Sequence, residues 1–258
     1  SGNTSVAAGS TIDLNGATGV TLDVAGTLNV QGTLDVLSNT VQVAGATITF
    51  AAGATTTFGG TANFVATSAA AQTMNMGAAR TFRNLTKSGG GVLTVTGGDL
   101  TVDLVFNQQA TAGGVTLGAG VTNATFTGNL TAAGGILSLG NSQVSVQTDW
   151  NSTGATVNPG AGTGRVTFAG TALQNVTYDT NTTFRNLRIN NATTVALSAA
   201  APALTVTNGL DFTVGTLQPG TNGMTVGGPL TFTAGTLGLG TSDAPFSIAG
   251  DVNFTNGV

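Results

Sequence analysis

The pentapeptide Thr81-Phe82-Arg83-Asn84-Leu85 returns as Thr183-Phe184-Arg185-Asn186-Leu187, 102 residues later. The same spacing separates Gln72 from Gln174, Val144-Ser145-Val146 from Phe246-Ser247-Ile248, Asp149 from Asp251, and Asn151 from Asn253. A long repeat therefore runs through the chain. Between these anchors the match slips, to 111 for Leu93-Thr94-Val95-Thr96 against Leu204-Thr205-Val206-Thr207 and to 100 for Leu137-Ser138-Leu139-Gly140 against Leu237-Gly238-Leu239-Gly240. Loop insertions in a repeat array produce slips of this kind.

A shorter beat fills the first 54 residues: Gly19-Val20-Thr21-Leu22-Asp23-Val24, Gly26-Thr27-Leu28-Asn29-Val30 and Gly32-Thr33-Leu34-Asp35-Val36. Alternation with period two puts Leu and Val on one face of a strand and Thr, Asp and Asn on the other. Helical periodicity is absent throughout, and the Gly before each piece permits a tight corner. With 40% apolar residues and a formal net charge of only −4, the chain should fold. A sandwich does not require self-similar sequence, and a transmembrane barrel needs aromatic girdles that one Trp and one Tyr cannot supply.

These observations predict an all-β, right-handed parallel β-solenoid (β-helix) rod built from an approximately 102-residue superrepeat. Rungs of about 20 residues would place about five in each period, and paired strands about 4.8 Å apart would make the rod about 60 Å long. Residues 1–54 read as divergent N-terminal rungs, 55–156 as the first full repeat and 157–258 as the second, within one continuous solenoid. Phe58, Phe64, Phe82, Phe106 and Phe126, then Phe168, Phe184, Phe212, Phe232 and Phe246, are expected to fill a narrow core. Phe82 and Leu85 are three apart, so both can be buried only if the backbone bends at Arg83-Asn84. Arg83 and Arg185 are then expected at one corner of the rod, one period apart.

The Gly-Thr-Leu-x-Val pieces, the Thr-Phe-x-Asn-Leu segment and the Gly-rich loops resemble the β-solenoid repeats of bacterial surface proteins of the filamentous-haemagglutinin and autotransporter-passenger type. The likeness covers nearly the whole chain. It implies an extracellular or bacterial cell-surface setting and a role in adhesion, fibre building or surface display. Secretion also suits a chain without Cys, which cannot mispair thiols in an oxidising compartment.

Catalysis is not expected. There is no His, no Glu and no Cys, and the closest carboxylate pair, Asp99 and Asp103, reads as solvated edge residues. No cofactor is expected; calcium is a candidate, as a cation screening Asp13 and Asp251 where two ends meet, and no motif indicates it. A pI near 4.3 and six basic residues rule against nucleic acid, and no apolar run suffices for a membrane-spanning helix. Thr-x-Thr pairs at Thr47, Thr94, Thr125, Thr205 and Thr231 raise ice binding as a minor alternative, but their spacing is irregular. Asn-x-Thr triplets at Asn84, Asn123, Asn129, Asn175, Asn181 and Asn191 are formal glycan acceptors. Arg80, Arg83, Lys87, Arg165, Arg185 and Arg188 are all the basic residues, which leaves a basic middle between acidic ends. Arg83 and Arg185 are accordingly the candidates for lateral contact between staggered rods.

A solenoid ends in an unpaired rung that invites another strand. The leading expectation is a secreted structural subunit that stacks head to tail on its own kind, through Val6, Ile12, Val252, Phe254 and Val258. The alternative is a segment of a large surface adhesin that binds a glycan or a cell surface.

Overall fold

The computed structural model describes residues 2–16, 18–198, 202–238 and 245–255. Every strand in it pairs in parallel with strands of the turns before or after it, as Leu28, Asn29 and Val30 do with Ile48, Thr49 and Phe50. The chain thus winds into a β-solenoid of about 11 turns of about 22 residues, with no helix among the described residues. Paired positions lie as little as 19 residues apart (Leu22 and Val41) and as much as 26 (Ile48 and Met74), the difference being absorbed in the corners.

Each turn has three sides. The first face begins with Thr4–Val6, Leu28–Val30, Thr47–Phe50 and Gln72–Asn75 and continues through Thr156–Asn158. The second begins with Thr11–Asp13, Thr33–Asp35 and Thr55–Thr57, and the third with Thr21–Val24, Thr40–Val43 and Asn63–Ala66. Later turns use long strands that bend around corners, such as Thr183–Leu197 and Leu204–Gln218, so the hydrogen-bonded network passes from face to face. Strand Thr156–Asn158 runs straight across the boundary between residues 156 and 157.

Period two decides which side chains enter. In Thr40–Val43, Val41 and Val43 are buried while Thr40 and Gln42 are half-buried on the outside. The outward positions stack in turn: Thr47, Thr73, Thr94, Thr116 and Ser138 are in register along the first face. Inside, the phenyl rings of Phe64 and Phe82 sit 5.4 Å apart and those of Phe106 and Phe126 5.2 Å apart, both edge to face. Phe232 and Phe246 are only partly buried, and the core takes in two large residues beyond the expected ones, Phe50 and Trp150. The Trp150 indole N–H donates to Ser152 Oγ at 2.9 Å, and that hydroxyl meets Thr182 Oγ1 at 2.7 Å.

Both pentapeptides bend where the Phe-to-Leu spacing requires. The strand register shifts between Phe82 and Asn84 and again between Phe184 and Asn186, and all of Phe82, Leu85, Phe184 and Leu187 are buried. The two copies nevertheless occupy different corners. Four steps up the second face lead from Phe82 through Val102, Phe126 and Val146 to Phe168. Phe184 lies two faces further along the chain, on the first face, paired with Val206. The 102-residue period is therefore four and two-thirds turns, not five, and each copy is rotated by one side of the triangle. Gln72, starting a first-face strand, and Gln174, starting a third-face strand, obey the same rotation. The expectation that Arg83 and Arg185 share a corner is corrected accordingly.

Polar side chains at the corners close the gaps in the ladders. Gln72 Nε2 donates to the carbonyls of Val43 (3.1 Å) and Gly45 (2.7 Å), and Gln174 Nε2 to Val146 (2.8 Å) and Thr148 (2.5 Å). The second face has one seam, because Thr55–Thr57 does not pair with the strand that follows it, Arg80–Lys87. Arg80 fills it: its guanidinium donates to the carbonyls of Met76, Ala54 and Ala51 at 3.0, 2.5 and 2.6 Å and lies over the Phe50 ring. These side chains add donors at the corners and the seam, where the Val43, Val146, Met76 and Ala51 carbonyls also accept a backbone N–H, and their own buried N–H groups are satisfied in turn.

Candidate functional site

The two ends of the described stack differ. At residues 245–255 the second-face column Phe212, Phe232 and Phe254 runs out with Phe254 58% exposed and its ring 5.9 Å from that of Phe232. Val252, two residues earlier, is 45% exposed. At the other end Val6 is already covered by its own turn and the next, at 2% exposure, whereas Ile12 is half-buried. Ile12, Val252 and Phe254 thus lie on accessible apolar surface, Val6 offers only its backbone edge, and Val258 lies outside the described residues.

Asp13 and Asp35 stack in register near the first end, with Asn15 donating to both: its backbone N–H to Asp13 Oδ1 at 2.7 Å and its side-chain amide to Asp35 Oδ2 at 2.6 Å. Among the described residues no three His, Cys, Asp or Glu side chains gather as metal ligands, and Asp251 contributes its backbone carbonyl to Leu230 N–H. Asp99 and Asp103 face separate tasks. Asp99 accepts from the backbone N–H of Thr122 and Asn123 and from the Asn123 amide, which together hold its carboxyl below the usual range, the Asn123 side-chain bond contributing most. Asp103 sits 3.8 Å from Arg83, whose Nε donates to the Gly60 carbonyl. Asp149 repeats the Asp99 clasp on the N–H of Asn175.

The basic residues do not form one surface. Arg80 is buried in the seam, and Lys87 is fully buried at the end of a third-face strand, its ammonium donating to the carbonyls of Gly89 (2.7 Å), Ser68 (3.2 Å) and Ala66 (3.5 Å). Burial pushes the Lys87 pKa down to about 8. Arg165, Arg185 and Arg188, by contrast, converge with Asp211 around the corner between the first and second faces. Sequence spacing does not bring them together, since Arg165 and Asp211 are 46 residues apart. Only the pairing of Val166 with Leu187 and of Arg188 with Asp211 does.

Other sequence candidates sort by face. The five Thr-x-Thr pairs fall on the first and second faces and never in two successive turns of one face; Thr73 and Asn75 lie between the pairs at Thr47 and Thr94. Of the glycan triplets, Asn191 is completely buried, with its amide donating to Ala172 O and Gln174 Oε1, so it is closed to modification in the folded rod.

No family model, curated protein or solved structure matches the chain. Fold and repeat together define it as a β-solenoid repeat protein.

Proposed function

We propose that the protein is an extracellular structural subunit that stacks head to tail into a fibre, each joint continuing the parallel β-stack. The observation that carries this reading is the phenyl column at Phe254, exposed beside the strand edge of Val252–Phe254, which has no further strand against it among the described residues. Unpaired strand edges template further pairing, and a contact between two unlike ends does not close on itself, so filaments follow. The acidic residues near both ends make backbone hydrogen bonds and apolar contact the cohesive terms, with Ile12 and the edge at Val6 as the opposing surface. In this reading the protein has no catalytic role.

Electron microscopy of the purified chain tests the proposal. Filaments of uniform width are expected from the native sequence, and Val252→Asp or Phe254→Asp should abolish them while circular dichroism still reports a folded β-rod. Filaments of normal length from either variant would refute the assigned end. Monodisperse short rods from the native chain would refute head-to-tail assembly and leave the edges to neighbouring turns of a longer solenoid.

A further inference from the structure

A groove of about 570 Å³ runs along the corner between the first and second faces across four successive turns. Its walls carry Arg165, Arg185 and Asp211 with the amides of Gln143, Asn186 and Asn208. Arg165 and Arg188 both donate to one oxygen, Asp211 Oδ2, at 3.3 Å, whereas Arg185 has no carboxylate partner among the described residues. Three guanidinium groups thus face a single carboxylate. None of the three Nε–H groups has an acceptor, so the cluster is short of oxygen ligands as it stands.

The amides form a ladder of their own, Asn208 donating to Asn186 Oδ1 at 2.6 Å and Asn186 to the Gly164 carbonyl at 2.9 Å. Among the described residues no aromatic or aliphatic side chain lines the groove. An apolar peptide or a lipid chain would find nothing there to bury against, while a ligand that combines an oxyanion with hydroxyl groups would match guanidinium and amide walls together.

We infer that this groove binds a carboxylate-bearing saccharide, a uronate unit, with Arg185 taking the carboxylate and Gln143, Asn186 and Asn208 the hydroxyls. Asp211 shows that a planar carboxylate already suits the neighbouring guanidinium groups. Turns spaced by about 4.8 Å are close to the length of one sugar ring, so consecutive units of an extended chain can face consecutive turns. The inference is independent of fibre formation, because the groove lies on the side of the rod.

The test is calorimetric titration of the full chain with trigalacturonate and with its methyl ester, at low and high salt. Saturable binding of the acid, weakened at high salt and absent for the ester, is the expected result. Arg185→Gln should weaken it about tenfold or more, the loss of one charge-assisted pair, and Arg83→Gln should not change it. Asp211→Asn removes the competing carboxylate and should tighten binding several-fold, a gain that misfolding cannot imitate. Equal binding of acid and ester, or binding indifferent to Arg185→Gln, overturns the proposal, as does a preference for a heparin-derived oligosaccharide, which would assign the groove to sulfate. Failure to bind trigalacturonate also overturns it; if Arg185→Gln then alters association between rods, the groove is a lateral contact between copies instead.

Discussion

Lys87 makes the stability of the rod depend on pH in a direction opposite to that of a lysine held in an ion pair. Its ammonium has no exposed surface, and burial brings its pKa from 10.5 to about 8. The unfolded chain keeps this proton up to about pH 10.5, while the folded one releases it near pH 8. Between those values the unfolded state binds more protons, so stability rises with pH. Integrated from pH 7 to pH 10, a shift of this size corresponds to at most about 2.5 kcal/mol. Water lies only a few side chains away in so thin a rod, and screening brings the expected gain to about 1–2 kcal/mol. Lys87→Met keeps the length of the side chain and removes the titration. Urea denaturation of both proteins at pH 7 and pH 10, followed by circular dichroism, measures the difference of differences. Tyr178, whose burial pushes its phenol up to about 12, lowers stability above pH 10 in both proteins equally and cancels. An identical pH dependence in the native protein and the variant would refute the account.

Two packing predictions rest on equally local features. A Cβ on Gly128 would stand 1.7 Å from the Leu104 carbonyl oxygen, so Gly128→Ala should destabilise the rod by about 2–3 kcal/mol, whereas Gly53→Ala, which meets nothing within 4 Å, should be close to neutral in the same denaturation assay. Trp150→Ala should cost about 3–5 kcal/mol through the cavity it leaves, and Trp150→Phe less, although Ser152 would then lose its indole donor.

The self-similar sequence and the period-two alternation were enough to read stacked parallel strands, because only a stack of equivalent rungs needs both at once. The bends at Arg83-Asn84 and Arg185-Asn186 were legible as well: two apolar residues three apart cannot share one face of a straight strand. Corner length was not legible. A Gly- and Thr-rich corner tolerates up to seven more or fewer residues without changing its composition, so the sequence period could not be converted into a whole number of turns.

The chain by itself therefore determined the strand period, the bend in each pentapeptide and the apolar core. Tertiary stacking decided the phase between repeat and turn, since interturn pairing, and not sequence distance, sets which residues become neighbours. That phase sends the two copies of the pentapeptide to different corners and draws Arg80 and Lys87 inside, where they donate to backbone carbonyls at the seam and at a corner. It also gathers Arg165, Arg185 and Arg188 around Asp211 from three successive turns, a cluster that distance along the chain conceals.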